Sequence, residues 1–134
     1  MSMVLYNFLG YRLSEIKYVN KTNKDNSYIS IVVCDDNFND INNQYSISIR
    51  VSTDFEEEES YFIFHAGFLI NDIEWYSKID KNMLKSIFLS IVFPFIREKI
   101  YTITSDMNTG LLIPTIDLRN VDCTNEIRLV KTSK

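Results

Sequence analysis

Tyr45, Ile47, Ile49 and Val51 alternate with Ser46, Ser48, Arg50 and Ser52. A period of two predicts a β-strand with one face buried and the other wet. Tyr28 to Cys34 is rich in β-branched residues and reads as another strand. The turn-forming run Asn20 to Asn26 precedes it. Asp35-Asp36-Asn37, Asn39-Asp40 and Asn42-Asn43 predict a loop after it. Upstream, Val4 to Val19 holds scattered apolar residues around Gly10 and forms a first strand. Tyr61 to Ile70 is apolar on both faces: Phe62, Phe64, Ala66, Phe68 and Ile70 on one side, Tyr61, Ile63, His65 and Leu69 on the other. Such a strand is expected to be covered twice. Gly67 within it marks a bulge or a close backbone approach.

The period then changes to that of a helix. Asp80 is a suitable N-cap, and Ile79 and Leu84 occupy the positions of a hydrophobic staple. Leu84, Ile87, Phe88, Leu89, Ile91, Val92, Phe93, Phe95 and Ile96 spread around most of the helix circumference. Ser86, Ser90 and Arg97 form the narrow polar remainder. One sheet covers one side, so the other side is expected to meet a second copy of the chain or a ligand. Pro94 removes a backbone donor and crowds the carbonyl of Ser90, predicting a kink. Ser105 to Gly110 ends the helix, Pro114 keeps Leu111-Leu112-Ile113 extended, and the polar remainder offers one short helical stretch at Glu126 to Val130.

Strands within about 4–73, a long helix at about 80–104, a groove loop at 105–116 and a C-terminal segment at 117–134 make one α+β domain. The expected architecture is a four-stranded antiparallel sheet packed with one long Pro-kinked helix. A length of 134 residues, 46% of them hydrophobic, suits a single folded core.

The net charge is −4, and no basic stripe stands out, which argues against nucleic-acid binding. No run of about 20 apolar residues exists, so no membrane insertion is expected. The start of the chain lacks a signal-peptide pattern, and Cys34 and Cys123 have neither zinc spacing nor a C-x-x-C. Reduced buried thiols in a cytoplasmic protein follow.

Catalytic patterns are missing. His65, the single histidine, sits among aromatics and reads as structural. There is no nucleophile elbow, phosphate loop or metal-ligand cluster, so no cofactor is expected and an enzyme is disfavoured. Glu56-Glu57-Glu58-Glu59 is either a solvated hairpin end or a docking patch for a basic partner. Met107, Leu111, Leu112 and Ile113 lie in or beside a loop. They either fold back onto the sheet or line an open apolar groove.

Phe93-Pro94-Phe95-Ile96-Arg97, then Ile100, Gly110 and Leu112-Ile113-Pro114-Thr115-Ile116, resembles the signature of the SecB-like export chaperones. That signature is a helix carrying L/F-F-P-Y/F-x-R, a loop with glycine, and an apolar stretch ending P-x-I/V-N-F. Phe8-Leu9-Gly10-Tyr11-Arg12 before Glu15-Ile16-Lys17-Tyr18 is similar to the first strand of some members. After the proline segment, Asp117-Leu118 stands where the family has Asn-Phe.

The resemblance implies a dimer of dimers with helices sandwiched between subunits. It also implies ATP-independent holding of unfolded or precursor polypeptides, and their delivery to the SecA translocase motor. Mapped onto this chain, the apolar groove takes Tyr61, Ile63, Met107, Leu111, Leu112 and Ile113. The oligomer contact takes Leu84, Ile87, Phe88, Ile91 and Phe95, and the motor-docking surface takes Glu56, Glu57, Glu58 and Glu59. Two alternatives stay open: a SecB-like chaperone dedicated to one partner, such as an antitoxin or a phage protein, and a hot-dog-like small-molecule enzyme.

Overall fold

The computed structural model describes residues 4–18, 28–55, 58–106, 113, 118, 121–124 and 126–130. Four strands, β1 (Tyr6–Lys17), β2 (Tyr28–Asn39), β3 (Gln44–Phe55) and β4 (Glu58–Ile70), precede two helices, α1 (Ile73–Lys78) and α2 (Lys81–Ser105). A short strand, β5 (Ile127–Val130), follows. The sheet runs β1-β4-β3-β2-β5, antiparallel at every pairing. The α+β fold with a four-stranded antiparallel sheet and one long helix is therefore present, with β5 added at the β2 edge.

Three elements differ from expectation. β2 continues through Asp35 to Asn39, the stretch expected to be a loop, because β3 offers a ladder opposite these polar residues out to Asn39↔Gln44. A bulge between Val33 and Asp35 shifts the alternation, bringing Asp36 and Phe38 to the core side opposite Ile47 and Tyr45. Ile127–Val130, expected to be helical, pairs with Tyr28–Ile31 instead. α1 was not foreseen. It starts where the Asp72 carboxylate accepts from the Trp75 backbone N–H at 3.0 Å.

α2 begins as its sequence predicts, with the Asp80 carboxylate accepting from the Met83 backbone N–H at 3.0 Å. The helix runs through Pro94 to Ser105 as one element.

β4 supplies the centre of the core. Phe62, Phe64, Ala66, Phe68 and Ile70 are buried together with Tyr45, Ile47, Ile49 and Val51 of β3. α2 lies on this face. Phe68 and Phe88 stack at 3.8 Å between ring centroids and 6° between planes. Tyr6, Phe8 and Tyr45 pack around that pair. α1 closes the end of the layer, with Trp75 stacked on Tyr6 and Tyr76 on Phe38.

Part of the far side of α2 is covered by residues that follow it in the chain. Ser86 Oγ donates to the Leu118 carbonyl at 3.2 Å, Asn82 Oδ1 accepts from the Cys123 backbone N–H at 2.7 Å, and Arg97 Nε donates to the Ile113 carbonyl at 2.9 Å. Ile113, Leu118 and Cys123 are buried in the same core cluster as Leu89, Phe93 and Ile100. The near-complete apolar collar of α2 therefore does not require a second copy over its whole far side, because Ile113, Leu118 and Cys123 already occupy part of it. Among the described residues, no helix is long and apolar enough to cross a membrane.

Candidate functional site

Advancing about 100° per residue, Ile87, Ile91 and Phe95 line one strip of α2 at four-residue spacing. Ile87 and Ile91 are half-buried, and Phe95 is 42% exposed. Phe95 lies against Phe8 and Tyr11 of β1, with centroids 5.6 Å away in both cases. β1 is an outer strand, paired only with β4 among the described residues, and Ile16 further along it is exposed. Phe95 thus joins the apolar strip of the helix to Phe8 and Tyr11 of the strand. An open edge strand also offers unpaired backbone groups. Beyond Phe95, a cleft of about 500 Å³ between β1 and the end of α2 is lined by Tyr11, Arg12, Leu13, Lys99 and Ile103.

This geometry divides the expected oligomer contact. Ile87, Ile91 and Phe95 border the open strip, but Leu84 and Phe88 have no exposed surface and face the sheet. Those two are core residues, and a partner cannot touch them in this conformation. On a helix, positions three and four apart share a face, so an apolar collar read from sequence does not reveal which part the sheet takes.

The expected groove does not assemble either. Tyr61 and Ile63 lie on the sheet face opposite α2, since they alternate with buried Phe62 and Phe64. Ile113 is buried on the α2 side, where Arg97 holds its carbonyl. The sheet separates them. Met107, Leu111 and Leu112 lie outside the described residues, as do Glu56 and Glu57. Glu58 and Glu59 belong to β4 and pair with Phe55 and Asp54 of β3. The Arg97 bond does give the Phe93-Pro94-Phe95-Ile96-Arg97 segment a physical role, since the arginine anchors the chain that returns after the helix.

The outer sheet face carries the polar side chains. His65 Nδ1 lies 2.8 Å from Ser48 Oγ, Tyr61 donates its hydroxyl to Glu15 Oε2 at 2.6 Å, and the Arg50 guanidinium sits 4.6 Å over the Tyr61 ring. An open depression of about 510 Å³ lies here, lined by Leu9, Gly10, Tyr11, Arg12, Gln44, Ser46, His65, Ala66 and Gly67. His65 lies on the strand face that the alternation assigns to it, opposite Phe62 and Phe64, and its bond to Ser48 links β4 to β3.

A second polar cluster is structural. Tyr45, buried, donates its hydroxyl to Asp36 Oδ2 at 2.9 Å, and Lys85 of α2 stands 3.7 Å from Asp36 Oδ1. Burial and then the Asp36 hydrogen bond push the Tyr45 hydroxyl far above its ordinary value. Burial and then the Asp36 charge raise Tyr76 in the same direction. The cluster ties β2 and β3 to α2. Both cysteines are free; Cys123 is buried, but Cys34, expected to be buried, is exposed at the β2 bulge. Among the described residues no group of His, Cys, Asp and Glu is placed to hold a metal ion.

Comparison with known protein families, with curated proteins and with solved structures returned no match.

Proposed function

We propose that the protein is an ATP-independent holdase chaperone of the SecB-like kind. In this reading it works in the cytoplasm as a homo-oligomer, a dimer of dimers, on unfolded and precursor polypeptides, with the SecA motor as the candidate acceptor. One observation carries the reading: exposed Phe95 of α2 packs on Phe8 and Tyr11 of β1, a strand with one neighbour among the described residues, and half-buried Ile91 and Ile87 precede it at four-residue spacing along the helix. The sequence resemblance at Phe93 to Arg97 and at Leu112 to Ile116 adds to it.

Such a surface serves either self-association or capture of extended chain. Apolar area contributes about 25 cal/mol per Å² when covered, and ordering a bound segment offsets much of that. Weak sites repeated over several subunits hold a client through multivalency.

Native mass spectrometry with and without a chemically denatured client tests both parts at once. The expected result is a tetramer that retains the client without ATP and suppresses its aggregation. A monomer under native conditions, or no suppression at excess protein, overturns the proposal. A pull-down dominated by one protein converts it to the dedicated-partner form.

A further inference from the structure

Gly67 sits in the interior of β4, a position where glycine weakens a strand. Nothing in the fold requires it there. Its φ is ordinary, and a Cβ added to it meets only Leu9 Cβ, at 3.9 Å. Directly opposite on β1 stands Gly10, next to the bulge between Phe8 and Gly10. Gly10 does need to be glycine, since its φ is +125°, and a Cβ there would meet nothing within 4 Å. Two glycines facing each other across the ladder give the 510 Å³ depression a floor of bare backbone.

Two register positions along, and so on the same face, Arg12 and His65 are opposite each other. Residues so placed have Cβ atoms about 5 Å apart, close enough for both heads to reach one ligand. Arg12 has no ion-pair partner among the described residues. The Nδ1 of His65 is occupied by Ser48, which leaves Nε2 as the ring nitrogen without a hydrogen-bond partner among them. In the tautomer where the Ser48 hydroxyl donates to Nδ1, the ring proton lies on Nε2. In that tautomer His65 offers a donor beside the forked donors of Arg12. At the other end of the floor the bulge residue Leu9, half exposed, supplies an apolar wall.

We propose that this depression binds a small organic carboxylate. Its carboxylate lies between Arg12 and His65, and its apolar body rests on the Gly10–Gly67 floor against Leu9. A bare anion such as phosphate uses the cationic end alone and has no use for the glycine floor. The depression opens on the sheet face opposite α2, and Tyr11 and Arg12 of β1 border both it and the cleft beside α2, so carboxylate binding is read by its own amide shifts and not by holding activity.

The test follows backbone amide shifts of Gly10, Gly67 and His65 by ¹⁵N NMR during titration with benzoate, its neutral isostere benzamide, and inorganic phosphate. The expected result is saturable millimolar binding of benzoate centred on these three amides, with benzamide silent. Arg12→Ala, at an exposed position, is expected to weaken benzoate roughly tenfold or more. Gly67→Val is expected to abolish benzoate binding by filling the floor, while leaving any phosphate response unchanged. Should Gly67→Val fail to fold, Gly67→Ala gives the same reading at smaller amplitude. Three results overturn the proposal: no saturation with benzoate, equal binding of benzamide, or benzoate binding indifferent to both Arg12→Ala and the glycine substitution.

Discussion

β4 carries two surfaces in one strand. Its even-numbered side chains, Phe62, Phe64, Phe68 and Ile70 among them, are sealed beneath α2. Its odd-numbered positions, Tyr61, Ile63, His65, Gly67 and Leu69, are all half-exposed on the outer face. Both sets look apolar in sequence, apart from His65 and Gly67. The difference shows that the core is supplied by one side of the strand. The outer side is free to carry residues that help the fold little, and a histidine and a dispensable glycine are found there.

The contrast can be broken first at its strongest point. Phe68 stacks on Phe88 and touches Phe8 and Tyr6, so Phe68→Ala is expected to lower stability by about 3–5 kcal/mol. Chemical denaturation would measure this, and a loss below about 1 kcal/mol would mean that the inner face is not the core.

Next comes Tyr45→Phe, which removes the hydrogen bond to Asp36 and is expected to cost about 1 kcal/mol near neutral pH. The same variant tests a pH effect. The folded-state Tyr45 hydroxyl titrates well above its ordinary 10.0, so the folded state retains a proton that the unfolded chain gives up. Its stabilisation is complete below about pH 10 and is lost as the pH rises beyond it. Urea midpoints measured at alkaline pH are expected to fall less steeply for Tyr45→Phe than for the native chain.

Gly67→Ala has the opposite sign. With room for its Cβ and no positive φ, it is expected to stabilise by about 0.4–1 kcal/mol, read as a higher Tm. Destabilisation would show that the glycine is structural after all. The smallest effect belongs to Ile63→Thr on the outer face, expected within about 0.5 kcal/mol of the native chain. A large loss there would mean that something covers the outer face.

Much of this architecture is legible in the order of residues, for identifiable reasons. The alternation from Tyr45 to Ser52 is a local signal with one physical solution, and the Asp80 cap states where α2 begins. β2 beyond Cys34 was hidden because Asp35, Asn37 and Asn39 are loop formers by propensity, and only the β3 ladder holds them extended. β5 was hidden for the same reason, since four residues carry no usable period and their partner is β2.

The site was harder. Leu84 and Phe88 look like Ile87 and Ile91 in sequence, and only the direction from which the sheet approaches separates them. His65 and Arg12 are 53 residues apart in sequence and meet through register alone. The coverage of α2 by Ile113, Leu118 and Cys123 depends on three side chain-to-backbone bonds that leave no periodic trace.

The pairing of β5 with β2 has a consequence for synthesis. Ser30 donates to Glu126 across a separation of 96 residues, and β1 must wait for β4 before it finds a neighbour. A ribosome adding about 5–20 residues per second therefore releases β1 to β4 well before β5. β4 can recruit β1 as soon as it emerges, but β2 lacks its β5 neighbour until Ile127–Val130 follow. Non-local closure of this kind slows folding. It makes the β2 edge the part of the nascent sheet most in need of protection, and the last of its described edges to acquire it.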